Sequence, residues 1–162
     1  MAQLPTLLHG AAFQTPLGAM VALASPTGVV SLGFDPEALV DAVQEPSPEL
    51  AALEAWLQSY LSRRFEQLPA VPLDLRGTPL DCAVWRALGS IPVGRTATYG
   101  DVARRVGRPD AVRAVAAAVG RNPVALVLPC HRVIGADGSL TGYGGGVPRK
   151  AWLLRHEGAL LL

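Results

Sequence analysis

Residues able to do chemistry gather in one short segment, Pro129-Cys130-His131-Arg132-Val133. The thiolate is the reactive form of cysteine, and an adjacent cation or a histidine acting as base raises its population at neutral pH. Cys130 beside His131 and Arg132 therefore reads as a nucleophile with base and cation at hand. The plainer reading is that a lone cysteine ending an apolar run is a small buried hydrophobe, and composition alone leaves both open. The other cysteine, Cys82, is far away, and neither belongs to a C-x-x-C pair or a zinc-ligand spacing. A disulfide framework and a cysteine-based metal site are therefore not expected.

Several elements are needed to position that segment. Val124-Ala125-Leu126-Val127-Leu128, after the turn Arg121-Asn122-Pro123, predicts a buried strand with Cys130 at its end. Strand neighbours point to opposite faces, so Cys130 and His131 need a turn or a bridging water to act together. Upstream, a helix is predicted over 82–88 from Val84, Trp85 and Leu88, stopped by Ile91-Pro92-Val93-Gly94. A second starts at Thr98 with Asp101 completing a capping box and runs to Val106 before Gly107. A third is capped by Asp110, buries Val112, Val115, Ala116 and Val119, and leaves Gly120 in the left-handed position past its end. These two, joined by Gly107-Arg108-Pro109, form a helix-turn-helix candidate. The outward face of the third carries Arg113, Ala114, Ala117 and Arg121. Small residues let a helix lie close to nucleic acid while arginine inserts or binds phosphate, the alternative being an alanine-rich surface helix.

The amino-terminal part reads differently. Phe13 to Gly18 has turn chemistry, and the apolar runs 20–24 and 29–34 flank the hairpin signal Ser25-Pro26-Thr27-Gly28. A helix capped by Ser47, with Pro48 first, places Leu50, Leu53, Leu57 and Leu61 in a stripe, Trp56 and Tyr60 packing alongside. The stretch 67–78, with Pro69, Pro72 and Gly77, reads as a linker, dividing the chain into domains 1–74 and 75–162. Charge divides with it. Residues 1–74 hold two Arg and eight acids, whereas 75–162 hold eleven Arg and one Lys against five acids. A basic half suits a phosphate-binding surface, or is simply a solvated face. Half of the 162 residues are apolar, enough for a real core. No apolar run is long enough to span a membrane and MAQLPTLLHG has no basic leader, so no membrane partner and a cytoplasmic location are expected.

From Gly77 to Gly158 the sequence resembles the carboxy-terminal domain of the O6-alkylguanine-DNA alkyltransferases, the methylated-DNA-protein-cysteine methyltransferases. The resemblance rests on Val84-Trp85-x-x-Leu88, Ile91-Pro92-x-Gly94, Thr98-Tyr99-Gly100-Asp101-Val102-Ala103, Arg113-Ala114-Val115, Asn122-Pro123-Val124, Pro129 to Val133, Tyr143-x-Gly145-Gly146 and Trp152-Leu153-Leu154-x-His156-Glu157, in order and spacing. Thr15-Pro16-Leu17-Gly18-x-Met20 is similar to the family's first hairpin.

The resemblance implies DNA repair by irreversible, single-turnover transfer of an alkyl group from O6-alkylguanine to Cys130, with no cofactor. It makes His131 the base, acting through a water, Glu157 the carboxylate that orients it, and Asn122 the brace of the turn before the active-site loop, the logic of a cysteine triad. The lesion cannot be reached inside a stacked duplex, so the base is flipped out, at roughly a few kcal/mol of unstacking. Arg113 then fills the gap in the stack, Ala114 packs in the minor groove, Tyr99 helps turn the nucleotide, and Ala117, Arg121 and Arg132 complete the DNA-binding set. Tyr143, Gly144, Val133 and Trp85 are assigned to the pocket, with Tyr143 and backbone amides near Val133 and Gly144 helping guanine leave as a neutral base. The implied fold is α+β: a ribonuclease-H-like small antiparallel sheet with a helix, then a mostly helical winged-helix-like domain. The partner is double-stranded DNA containing alkylated guanine, bound by a monomer.

The match has departures. Leu80-Asp81 stands where Phe-Gln is common, Gly144 where some relatives have serine, and no cysteine precedes Cys82 to hold an amino-terminal zinc. The alkyl groups accepted, repair of O4-alkylthymine and the role of Cys82 are left open. Three rivals remain: a non-catalytic lesion-binding relative, which lacks the acceptor cysteine; a winged-helix regulator, which leaves Pro129 to Val133 unexplained; and a cysteine hydrolase, which leaves Arg113 unexplained.

Overall fold

The structure, a computed structural model, describes residues 7–160. Residues 1–6, on which most of the leader reading falls, lie outside them. The chain divides into two compact units, Met1–Leu75 and Arg76–Leu162.

The first unit is a three-stranded antiparallel sheet with one long helix. Strands β1 (His9–Thr15), β2 (Gly18–Ala24) and β3 (Val29–Gly33) lie side by side in that order. The turn expected over 13–18 narrows to Pro16-Leu17, because Phe13, Gln14 and Thr15 still pair with β2. Thr15 Oγ1 accepts from Leu17 N–H and donates to the Gly18 carbonyl, and Gly18 takes the positive φ that this tight reversal needs. Helix α1 (Pro48–Leu61) begins where expected, Ser47 accepting from Leu50 N–H, a cap worth about 1 kcal/mol. Leu50, Leu53, Trp56, Leu57 and Tyr60 are buried with Met20, Ala22 and Leu32 of the sheet; Leu61 is only half-buried. The stretch read as a linker holds the boundary between the two units, and its residues 72–74 are anchored to the first. Val29 N–H donates to Pro72 O, Asp74 N–H to Val29 O, and Ser25 Oγ to the Asp74 carboxylate.

The second unit carries α2 (Pro79–Leu88), α3 (Tyr99–Arg105), α4 (Val112–Gly120) and α5 (Val147–His156), with a two-residue parallel pairing of β4 (Ala97–Thr98) and β5 (Val133–Ile134). Helix α2 starts three residues before Cys82, because Thr78 and Asp81 form a full capping box. The same device starts α3 at Thr98 with Asp101, where it was expected. Helix α4 differs from expectation in three ways. Asp110 does not cap it; Ala118 joins Val115 and Val119 in the core while Val112 is exposed and Ala116 only half-buried; and Gly120 remains helical, the chain leaving through Arg121.

The largest correction concerns 124–128, which forms no strand and turns at 125–127. Leu128 N–H reaches back to Val124 O, and Leu126 sits at φ 70°. The alternation of buried Val124, Leu126 and Leu128 with half-buried Ala125 and Val127 imitates a strand, but the segment is coiled on itself and Asn122 closes the coil. Among the described residues no helix is long and apolar enough to cross a membrane.

Candidate active site

Cys130 opens a single 3-10 turn, Cys130–Arg132, between the 122–128 coil and β5. The turn resolves the opposite-face problem, since consecutive residues on it diverge by about 120° and not by 180°. Asn122 clamps the approach: its Nδ2 donates to Leu128 O at 2.6 Å, its Oδ1 accepts from Val124 N–H at 3.0 Å, and Cys130 N–H then donates to Leu128 O at 2.8 Å. Burial pushes the Cys130 thiol up, while a hydrogen bond from Asn122, the Lys150 charge and the backbone amides of Cys130 and His131 pull it back. The thiol at rest is therefore protonated, and a base has to take its proton.

His131 is fully buried, and its Nε2 lies 2.6 Å from Glu157 Oε2. Glu157 caps the end of α5 and is itself buried. Burial pushes its carboxyl up, but hydrogen bonds and charge from His131 and Arg132 outweigh this and hold it at about 2. An ionised carboxylate only accepts, so Nε2 carries the proton and Nδ1 is left as the acceptor. Nδ1 has no hydrogen-bond partner among the described residues. Burial lowers the imidazole's own pKa against the pull of Glu157, so the ring is neutral near pH 7 and able to take a proton.

Lys150, which sequence reading missed, closes the cluster from α5. Its ammonium is fully buried and donates to Val133 O at 2.6 Å and Thr141 O at 2.8 Å. Burial pulls its pKa down, and its charge acts on Cys130. A signal existed in the sequence: Lys150, Leu153, Leu154 and Glu157 recur at helical spacing, so a lysine and a glutamate share the buried stripe of α5. Tyr143 lies on the loop before α5 with its Oη buried and without a partner among the described residues. Burial, and then the nearby Cys130 charge, push its pKa up, so it stays a hydrogen-bond donor.

Three expected assignments change. Arg132 is not a DNA contact: it is buried, with Nε and one Nη on the two Glu157 oxygens at 2.7 and 3.0 Å and the other Nη on Ile91 O at 2.6 Å. Trp85 does not line the pocket: its ring is buried between α2 and α4, and its Nε1 donates to Ala118 O at 2.9 Å. The Val133 amide is not available to a leaving group, since it donates to Cys130 O. Gly144 is exposed, and Tyr99 is half-buried at the start of α3, which the Thr98–Ile134 pairing sets beside β5. Arg113, Ala114 and Ala117 are exposed together on α4. Arg121 is exposed as well, but its guanidinium is 2.6 Å from Asp81 Oδ1.

The model of the 6-O-methylguanine DNA methyltransferase DNA-binding domain matches residues 79–159. A methylated-DNA–protein-cysteine methyltransferase of Mycolicibacterium paratuberculosis is 44% identical over 146 residues, 82% of this chain and 88% of the relative. The protein of that name from Shigella flexneri is 51% identical over 106 residues, 65% of this chain and 62% of the relative, so the matching region spans less than two thirds of it. Among solved structures, Mycobacterium tuberculosis OGT in complex with DNA superposes with a TM-score of 0.76 at 36% identity, covering 93% of each chain.

Proposed function

The chain belongs to the methylated-DNA–protein-cysteine methyltransferase family, and from that premise we propose that it repairs O6-alkylguanine in DNA by moving the alkyl group irreversibly onto Cys130. The observation that carries this is the buried His131, held at Nε2 by Glu157 and left with Nδ1 free to accept, one residue from the half-buried thiol. In the proposed reaction the thiol proton passes through a water to Nδ1, and the thiolate Sγ attacks the alkyl carbon. An S–C bond forms as the C–O6 bond breaks, and guanine takes the electron pair. Tyr143 Oη, buried and without a partner among the described residues, donates a hydrogen bond as charge develops on the base, and the thiol proton returned from His131 leaves guanine neutral. Glu157 stays ionised throughout and stabilises the imidazolium as it forms. Lys150 supplies positive charge to the thiolate. A thioether is not hydrolysed by water, so each molecule reacts once.

DNA enters along α4, with Ala114 and Ala117 allowing close approach in the minor groove and Arg113 replacing the flipped base. Tyr99 turns the target nucleotide from the start of α3. In this reading α3 and α4 are the two arms of a helix-turn-helix within a winged-helix-like unit, and the first unit is ribonuclease-H-like. The six residues between α3 and α4 and the exposed Arg113 support the assignment. The test is to incubate stoichiometric protein with a duplex bearing labelled O6-methylguanine, wild type beside Cys130→Ser. Label should move to the wild type, stop at about one equivalent and be absent from the variant. Continued turnover would favour a hydrolase, and binding without transfer would favour a lesion-binding protein.

A further inference from the structure

Asp81 and Arg121 form a pair that the alkyl-transfer chemistry does not use. Asp81 is buried at the third position of α2, where one oxygen accepts from Thr78 N–H as part of the capping box. The other faces Arg121, the first residue beyond α4, at 2.6 Å. Arg121 follows Arg113 by eight residues and Ala117 by four, which places it on the same helical face. Its side chain is 54% exposed while the Asp81 side chain is 9% exposed, so the arginine can swing to solvent and the carboxylate cannot follow it. Arg113, by contrast, has no ion-pair partner among the described residues.

An arginine already neutralised by a carboxylate releases no condensed counterion when DNA arrives, and the carboxylate beside it repels an incoming phosphate. We propose that Asp81 is a built-in competitor with DNA phosphate for Arg121, so that the protein meets its duplex with one fewer effective cation than the face carries. The inference rests on the reading of the α4 face as the DNA surface. Its consequence is weaker, less salt-sensitive binding to undamaged DNA, which favours release and search over retention.

The test uses the full chain and a fluorescent undamaged duplex, with Kd read by anisotropy over roughly 50 to 200 mM salt. Asp81→Asn keeps an oxygen for the cap and removes the charge. It should lower Kd about three- to tenfold and steepen the slope of log Kd against log salt by about 0.9. Arg121→Gln should weaken binding by a few fold, because it leaves the Asp81 carboxylate unpaired on the DNA face, and should abolish the gain when combined with Asp81→Asn. Arg121→Gln leaves the α2 cap intact, so its slope is informative even where Asp81→Asn lowers Tm. Weaker binding by both single variants, with a slope shallower by about 1 for Arg121→Gln, would mean that Asp81 aims Arg121 at a phosphate and would overturn the proposal. No change on Asp81→Asn with Tm maintained would overturn it as well. A separate failure is visible in Arg113→Ala: if that variant binds as tightly as the wild type, it is the α4 reading that falls.

Discussion

The second unit holds two sets of charged side chains that live under opposite conditions. Around Cys130, Glu157, His131, Arg132 and Lys150 are buried and bond to one another or to backbone carbonyls, His131 Nδ1 alone being left over among these groups. On α4, Arg113 and Arg121 face solvent, and their only described ionic partner is Asp81. Buried charge is costly to separate and barely screened by salt, so the first set is fixed in one geometry and can tune a proton transfer. Exposed charge is screened and mobile, so the second set is free to meet a partner without disturbing that geometry. In the proposed reading, chemistry and recognition therefore separate by depth within one small unit.

Glu157→Gln attacks the buried set hardest. It should slow single-turnover transfer by about 10²- to 10⁴-fold by removing the group that fixes the His131 proton. It should also cost about 3 to 5 kcal/mol of stability, because Arg132 is left buried without its counter-charge. Wild-type transfer by a destabilised variant would reduce the cluster to a structural role.

A pH series sharpens the contrast next. Glu157 is held at about 2, below its usual 4.5, so the stability from its ionised form is complete above about 4.5 and lost as pH falls towards 2. Burial holds His131 below 6.5, so stability also begins to decline once pH drops under 6.5, where the unfolded chain takes up a proton the folded chain refuses. Chemical denaturation across this range should show both limbs, and Glu157→Gln should lack the acidic one. Transfer should persist below pH 6.5 for the same reason, failing only when His131 becomes protonated.

The smallest expected effect lies on α4. Arg113→Ala should weaken DNA binding about tenfold with a salt slope shallower by up to about 1, while moving stability by no more than about 0.5 kcal/mol. A large loss of stability would show that the arginine belongs with the buried set after all.

What was legible in the sequence follows the same division. The caps at Ser47 and Thr98 and the stripe of α1 were readable, because each depends on spacing along a few residues. Cys130, His131 and Glu157 came from the motif, and the structure brings the last two into contact. Direction was not legible. Arg132 and Trp85 sit in the right motifs yet turn into the interior, where Glu157 and Ala118 take their polar atoms. Lys150 is hard to read because lysine is ordinarily a surface residue, and only its place on the apolar stripe of α5 marks it. The segment 124–128 differs for a further reason: an uninterrupted apolar run of strand length does not distinguish a strand from a coil closed by one asparagine.

Leu126, buried at φ 70° within that coil, leaves evolution little room. Glycine would relax the backbone by about 1 to 2 kcal/mol but leave a void costing about 2 to 5. Asparagine would accept the backbone angle and bury an amide in an apolar setting. Both substitutions that suit the backbone angle thus trade one defect for another of similar or greater size, so drift at this position should keep to apolar residues of leucine's volume.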